Sequence, residues 1–216
     1  MIKYVLFDLD GTLTDPAEGI TNSVAYALAK FGIEVKDKRE LYKFIGPPLV
    51  PSFMEFYGFS EDDAKKALSY YREYFAPHGI FENEIYEGIP GLLAELSAAG
   101  KKIILATSKP QEFAKKILEH FEIDGYFSTV CGNTLDESRP TKRDVIAYIM
   151  QIYPDMTSEN SVMVGDRKYD VEGAHALGIP AVAVLYGYGD EAELSAAGAD
   201  HTVSDVKNLK KLLLEL

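Results

Sequence analysis

Two aspartates near the N-terminus, Asp8 and Asp10, have the clearest chemical potential in the sequence. They directly follow residues 2–7 (IKYVLF), a run typical of a buried β-strand, and Gly11 after them indicates a turn. Ligands of open α/β sheets bind at the carboxyl ends of the strands. Two close carboxylates are costly to bury unless a cation neutralises them or one keeps a proton. The stretch indicates a metal site or an acid–base pair, with a solvated turn as the alternative.

Polar side chains follow three further predicted strands. They are Thr107 and Ser108 after residues 103–106, Arg139 and Lys142 after residues 129–131, and Asp166 and Asp170 after residues 162–164. Because parallel strands end at the same edge of a sheet, these side chains can converge with Asp8 and Asp10. Each one alone is explained equally well as a helix cap or a solvated side chain. Four such coincidences in one chain favour a shared site.

The elements that must position these residues alternate between helix and strand from Tyr86 onward. Short loops join them, which predicts a parallel, doubly wound α/β sheet. With the first strand included, we predict a core domain of residues 1–14 and 85–216. Helix predictions include one from Gln111 to Phe121 and one from Arg143 to Ile152.

Residues 15–84 break this alternation and predict a four-helix insertion. Asp15 is a candidate N-cap ahead of Pro16, Ser60 is a candidate cap of a later helix, and Pro77 with Gly79 is expected to end that helix. The turn at Gly46 and Pro47 is rigid, and we predict that it contacts substrate.

Composition excludes some classes of partner. The chain has 216 residues, a net charge of −12, 47% hydrophobic and 26% charged residues. This charge disfavours nucleic acid and anionic membranes as partners, and no apolar run is long enough to span a bilayer. The single cysteine, Cys131, suits buried packing in a reducing compartment, and no signal peptide is recognisable, so we expect a cytoplasmic protein.

The order of these motifs resembles the haloacid dehalogenase superfamily. The residues that carry the resemblance are DLDGT at 8–12, ATS at 106–108, a later lysine, and GD at 165–166 with Asp170. GPPL at 46–49 and ATSKP at 106–110 are similar to the phosphoglycolate phosphatase and 5′-nucleotidase-like branch. The resemblance covers essentially the whole chain and implies a Rossmann-like core with a helical cap.

The resemblance also implies a mechanism. Asp8 is then the nucleophile that forms an aspartyl-phosphate, and Asp10 is the general acid and base. Mg²⁺ is implied as cofactor, held by the Asp8 carboxylate, the Asp10 backbone carbonyl and Asp166. Asp170 is implied not to bind the metal directly but to orient a metal-bound water. Thr107 and Ser108 are implied to bind the phosphoryl group of a small phosphorylated metabolite.

The third motif departs from the family pattern, which has a Lys-Pro pair where this chain has Arg139-Pro140 and then Lys142. We favour Lys142 as the cation because its ammonium is compact, whereas the planar guanidinium of Arg139 suits bidentate ligands. Arg139 remains the alternative.

The expected function is therefore a Mg²⁺-dependent phosphatase of a small phosphomonoester, such as phosphoglycolate or a nucleoside monophosphate. Pyrophosphate and sugar phosphates also remain open. The alternatives are a phosphotransferase of the β-phosphoglucomutase type and, with less support, a non-catalytic phospho-receiver.

Overall fold

The computed structural model describes residues 1–135 and 138–216 and contains two compact units. The core unit comprises Met1–Asp15 and Ile85–Leu216, and the inserted unit comprises Pro16–Glu84.

Six strands of the core unit form one sheet. They are β1 (Tyr4–Phe7), β4 (Lys102–Pro110), β5 (Phe127–Asn133), β6 (Ser161–Gly165), β7 (Ala181–Val184) and β8 (His201–Val203), and a separate two-stranded sheet pairs β2 (Thr14–Asp15) with β3 (Glu84–Ile85). The order across the large sheet is β5-β4-β1-β6-β7-β8, and every neighbouring pair is parallel. The predicted α/β fold class is confirmed.

The central strand β1 is buried on both faces, which explains its continuous apolar sequence. The core helices are α4 (Ile89–Ala98), α5 (Gln111–His120), α6 (Lys142–Ile152), α7 (Lys168–His175), α8 (Glu191–Ala196) and α9 (Val206–Glu215). Tyr4 and Leu6 of β1 share a buried cluster with Val145 of α6, Val171 of α7 and Leu194 of α8. This packing holds the ends of β1, β4 and β6 in a fixed relation.

The strand order places a crossover beside β1. The chain runs from β1 to β4 on one side and later returns to β6 on the other side of β1. Crevices at such points, outside the carboxyl ends of the strands, are where open α/β sheets bind ligands. The sheet therefore presents a ligand position directly after Phe7.

The inserted unit is helical. It contains α1 (Ala17–Ala29), a 3₁₀-helix (Lys38–Phe44), α2 (Leu49–Tyr57), α3 (Glu61–Tyr74) and a π-helical turn (Phe75–Gly79). An aromatic group in this unit packs Phe44 against Phe53, with ring centroids 5.0 Å apart, and stacks Phe53 on Phe59 at 5.9 Å. Apolar burial therefore gives this unit its own core.

Several predicted boundaries in the core unit were wrong. Helix α6 begins at Lys142 rather than Arg143, α5 ends at His120, and β4 continues past Ala106 to Pro110 through an irregular register with β5. Sequence reading missed α8, a six-residue helix that is too short to show a clear apolar repeat.

In the inserted unit the predicted Ser60 cap is confirmed, because the Ser60 side chain accepts a hydrogen bond from the backbone amide of Asp63. Two other helix boundaries differ from the prediction. Pro77 does not end the helical region. The amide of Ile80 donates instead to the carbonyl of Phe75 at 2.8 Å, which closes a wider π turn. Helix α1 begins after Pro16 with no side-chain cap, and Asp15 accepts a hydrogen bond from the Tyr188 hydroxyl instead.

Candidate active site

Asp8 lies at the carboxyl end of β1 and is almost completely buried, with 6% of its surface exposed. Its backbone amide donates to the carbonyl of Val164 at 2.9 Å, which continues the pairing of β1 with β6. This pairing fixes the backbone of the first acid. The carboxylate is therefore presented at the edge of the sheet by a rigid strand.

Lys142 pairs with two of the predicted acids. Its Nζ atom lies 2.8 Å from Asp8 Oδ1 and 2.7 Å from Asp170 Oδ1, and it donates to the carbonyl of Ala106 at 2.8 Å. A capping box between Thr141 and Asp144 fixes the helix start that carries this lysine. Burial acts to lower the pKa of Lys142, but Asp170 and Asp8 outweigh it and raise the pKa above its usual value. The raised pKa favours the charged form of this lysine beside both carboxylates.

Arg139, the alternative cation, lies elsewhere in the core unit. Its guanidinium carbon is 4.3 Å from the centre of the Tyr148 ring, a cation–π contact. The geometry favours Lys142 for the cation role, and that role remains a proposal.

Asp10 is held by a lysine to which the sequence reading gave no role. Lys109 Nζ lies 2.6 Å from both carboxylate oxygens of Asp10, and the side chains of the two residues are 5% and 13% exposed. Burial raises the pKa of Asp10, and Lys109 opposes the increase. Lys109 lies three residues after Ala106, where the strand was predicted to end, and this signal entered the sequence analysis only as part of the ATSKP resemblance.

Asp166, at the end of β6, is completely buried and is held by two loops. The Thr12 hydroxyl donates to Asp166 Oδ1 at 3.2 Å, and the Tyr188 amide donates to Oδ2 at 2.8 Å. Burial raises the pKa of Asp166 well above its usual range, and the nearby carboxylates of Asp170 and Asp8 add to the increase. The Tyr188 loop, which follows β7, was not among the predicted site residues.

Asp170 belongs to the same group of acids. Burial and the nearby Asp8 raise its pKa to about 6 although Lys142 opposes the shift. One of its oxygens also accepts from the amide of Arg167 at 3.1 Å, which anchors the carboxylate to the start of α7.

Thr107 and Ser108 lie within the final, irregular part of β4. Thr107 is buried, and its Oγ1 accepts from the backbone amide of Lys109 at 3.2 Å. Its hydroxyl proton can still be donated to a ligand. Ser108 is half-buried.

The predicted pair Gly46 and Pro47 belongs to the inserted unit, between the 3₁₀-helix and α2. Gly46 has a φ of +99°, which suits a turn, and both residues are half-buried. Their contact with substrate remains a prediction.

Three carboxylates of the site fit a metal ion. Asp8, Asp166 and Asp170 each offer an oxygen within 4.8 Å of the others, and all three residues are buried. With Asp10 there are four carboxylates against the two ammonium groups of Lys109 and Lys142. This leaves a formal charge of about −2 on an all-oxygen group, which a hard divalent cation such as Mg²⁺ would balance.

This arrangement can support phosphoryl chemistry. A buried carboxylate, a second acid with a raised pKa, a buried ammonium and a group of oxygens that could hold a metal ion lie at neighbouring strand ends of one sheet. Fold and site together define a class of hydrolase that uses aspartate for group transfer.

Comparison with known proteins agrees with this class. The sequence profile described as haloacid dehalogenase-like hydrolase matches residues 5–184. The chain therefore belongs to the haloacid dehalogenase-like hydrolase family, as its motifs implied. A crystal structure of a predicted phosphatase from Clostridium acetobutylicum is 50% identical, with a TM-score of 0.96 and 100% of both chains covered.

Curated relatives are similar over most of the chain. A 5′-nucleotidase from Pseudomonas aeruginosa is 44% identical over 209 residues, covering 97% of this chain and 94% of that protein. A phosphoglycolate phosphatase from Rhodospirillum rubrum is 30% identical over 219 residues, covering 97% and 90%. The chain is a phosphatase of this family.

One relative is named for a different activity. The tyrosine-protein kinase PtkA from Mycobacterium tuberculosis is 41% identical over 188 residues, covering 87% of this chain. The match spans 63% of PtkA, so the kinase contains sequence beyond the shared region.

Cys131 is a free, buried cysteine, and burial raises the pKa of its thiol to about 11, so it suits packing rather than nucleophilic chemistry. Among the helices that the structure describes, none combines the length and the apolar composition needed to cross a membrane.

Proposed function

We propose that this protein is a Mg²⁺-dependent phosphatase that hydrolyses a small phosphomonoester through an aspartyl-phosphate on Asp8. The observation that carries the proposal is the joint contact of Lys142 with Asp8 and Asp170. The contact orients a buried nucleophile and supplies positive charge where a dianionic ester must approach.

In the first half-reaction, a carboxylate oxygen of Asp8 attacks phosphorus and the bond from phosphorus to the ester oxygen breaks. Asp10 gives a proton to the departing alkoxide, a role that its raised pKa supports. Lys142 and the hydroxyl of Thr107 bind the phosphoryl oxygens as negative charge develops on them.

In the second half-reaction, Asp10 acts as a base. It removes a proton from a water molecule, whose oxygen attacks the phosphorus of the aspartyl-phosphate. The bond to Asp8 breaks, inorganic phosphate leaves, and both aspartates return to their starting states.

Asp8 and Asp166 would hold Mg²⁺ with the backbone carbonyl of Asp10. When bound, the ion neutralises carboxylate and phosphoryl charge. Asp170 was expected to orient a metal-bound water without binding the metal itself. Its carboxylate lies in the same group of close oxygens as those of Asp8 and Asp166, so we include it among the candidate ligands.

The substrate class is a small phosphorylated metabolite in the cytoplasm, phosphoglycolate-like or a nucleoside monophosphate. The relatives named phosphoglycolate phosphatase and 5′-nucleotidase support both esters. The acidic surface charge supports a partner other than nucleic acid or membrane.

A phosphotransferase is the second candidate, since it shares the first half-reaction. The relative named tyrosine-protein kinase favours it, although that protein extends beyond the matched region. The phospho-receiver alternative has no comparable support from the named relatives.

Hydrolysis of p-nitrophenyl phosphate tests the proposal. We expect turnover with Mg²⁺, none with EDTA, and none in Asp8→Asn under either condition. The matched control is Asp62→Asn, the same change at an exposed aspartate in the first turn of α3, which should keep wild-type activity.

Full activity of Asp8→Asn would contradict the mechanism. Adding an alcohol or a tyrosyl peptide as acceptor separates the two candidates. A phosphatase releases one inorganic phosphate for each p-nitrophenol, whereas a phosphotransferase releases less and phosphorylates the acceptor.

A further inference from the structure

Arg167 and Glu193 form an ion pair beside the acids of the site, and the proposed chemistry uses neither residue. Arg167 Nε donates to Glu193 Oε1 at 2.8 Å and Nη2 donates to Oε2 at 3.2 Å, while the side chains are only 13% and 22% exposed. Burial acts to raise the pKa of Glu193, but the hydrogen bond from Arg167 outweighs it and lowers the pKa. A two-point contact between guanidinium and carboxylate fixes geometry as well as charge.

Glu193 also holds the backbone between the candidate metal ligands Asp166 and Asp170. Its Oε1 atom accepts from the amide of Lys168 at 2.9 Å, and the amide of Arg167 donates to Asp170 Oδ2 at 3.1 Å. The Glu193 carboxylate thus contacts two successive residues of the turn from β6 to α7. This turn carries both acids, so its position sets the spacing of their carboxylates.

The segment between β7 and α8 contacts Asp166 directly. The amide of Tyr188 donates to Asp166 Oδ2 at 2.8 Å. A Cβ atom on Gly187 would lie 2.4 Å from Asp166 Cβ, and one on Gly189 would lie 2.1 Å from the Asp166 carbonyl oxygen. The segment therefore approaches this acid as closely as a backbone without side chains allows.

Asp190 connects that segment to Glu193. Its side chain accepts from the Glu193 amide at 2.7 Å and caps α8. The cap fixes the start of the helix that presents the Glu193 carboxylate to the turn. Residues 187–193 therefore support Asp166 from one end and the turn toward Asp170 from the other.

The acids of the site need such support. An oxygen of each of Asp8, Asp166 and Asp170 lies within 4.8 Å of the others, so the three carboxylates repel one another before a metal ion binds. Mg²⁺ requires near-octahedral oxygen ligands at about 2.0–2.1 Å, and its affinity falls when the groups behind those ligands are lost. A contact that holds the turn against this repulsion therefore favours metal binding.

We propose that Glu193 is a positioning residue for the metal site, holding the turn that carries Asp166 and Asp170 through Arg167 and the Lys168 amide. The inference rests on the proposed function, because it concerns the Mg²⁺ that the phosphatase would use. Glu193 lies beyond residues 5–184, which the family profile matches, so that profile does not cover it.

Titration calorimetry with Mg²⁺ alone, on protein stripped of metal with EDTA and dialysed, tests this role without turnover. Glu193→Ala should weaken Mg²⁺ binding about 10-fold or more, because the turn loses its support. Arg167→Ala should weaken it as well. Removing a positive charge beside the acids would by itself tighten Mg²⁺ binding, so weaker binding in this variant is the signature of positioning.

Glu191→Ala is the matched control. Glu191 is an exposed acid in the same first turn of α8, so this variant removes an equal charge from the same helix. Its Mg²⁺ affinity should stay within about twofold of wild type.

Unchanged Mg²⁺ affinity in Glu193→Ala, or unchanged or tighter affinity in Arg167→Ala, overturns the positioning role, even where the variant lowers Tm in EDTA. If an alanine variant does not fold, Glu193→Gln and Arg167→Lys replace the pair. Each nearly keeps the length of its side chain but loses the two-point contact, and Mg²⁺ binding should weaken at least about threefold. Unchanged affinity in both replacements also overturns the role.

The proposed function has a separate outcome. Wild type that binds Mg²⁺ but hydrolyses no ester contradicts the phosphatase, while the affinities of the variants still decide the role of Glu193. Wild type that binds no Mg²⁺ contradicts both.

Discussion

Lys142 Nζ lies 2.8 Å from Asp8 Oδ1, and this ion pair joins the first residue of α6 to the residue that follows β1. Both side chains are nearly completely buried, at 2% and 9% exposure. Removing one member of a buried ion pair leaves the other charge without compensation. The pair therefore connects activity with the stability of the metal-free protein.

The first prediction concerns the cation of the site. Lys142→Ala should lower kcat for p-nitrophenyl phosphate by about 10²- to 10³-fold, because it removes charge stabilisation at the reacting phosphoryl group. Arg139→Ala should keep kcat within about threefold, since the half-buried Arg139 stacks on the exposed ring of Tyr148 and not on the acids of the site. Steady-state kinetics of both variants check the assignment, and the reverse pattern would show that Arg139 is the cation.

The second prediction concerns the turn after Asp10. Gly11 has a φ of +82°, and a Cβ atom there would lie 2.1 Å from Asp166 Oδ2. Gly11→Ala should displace the Asp166 carboxylate, lower kcat by at least about tenfold, and destabilise the fold by about 1–3 kcal/mol.

Gly100→Ala is the matched control for that change. Gly100 has a φ of +76°, but a Cβ atom added there would have no neighbouring atom within 4 Å. This variant should show the backbone cost of about 1–2 kcal/mol and normal kcat. Kinetics with urea unfolding compare the two variants, and equal kcat values would show that the space beside Asp166 does not matter for activity.

The third prediction concerns pH and metal. The pKa of Asp170 is raised to about 6 in the folded protein, so the folded state binds a proton that the unfolded state releases near its ordinary value of 3.8. The free energy of unfolding in EDTA should therefore fall as pH rises from about 4 to about 6, by about 3 kcal/mol from this group. Asp170→Asn should make the profile less steep in urea unfolding between pH 4.5 and 7, and the raised pKa values of Asp10 and Asp166 account for the slope that stays.

Asp155→Asn is the control for that profile. The hydrogen bond from Lys3 lowers the pKa of Asp155 to about 2, so its stabilisation is lost only as pH falls below about 4. The slope between pH 4.5 and 7 should therefore stay as in wild type. An unchanged slope in Asp170→Asn would exclude this residue as the titrating group.

Mg²⁺ should raise Tm more at pH 7.5 than at pH 5, because it binds ionised carboxylates.

Much of the fold was predictable because its signals are local. The apolar run of β1, the alternation after Tyr86 and the Ser60 cap each depend on residues close together in sequence. The boundary of β4 was missed because its last residues pair with β5 through a shifted register, which no local pattern records.

The sequence by itself determined which acids follow the strands. Asp8 directly follows the buried strand β1, and Asp166 directly follows the buried strand β6. Only the tertiary structure decided which charges meet. It paired Lys142 rather than Arg139 with Asp8, paired Lys109 with Asp10, and brought the Tyr188 amide to Asp166. The physical reason is that such ion pairs and hydrogen bonds depend on the register and order of parallel strands. Long-range packing of the sheet sets both, and residue types and spacing do not specify them.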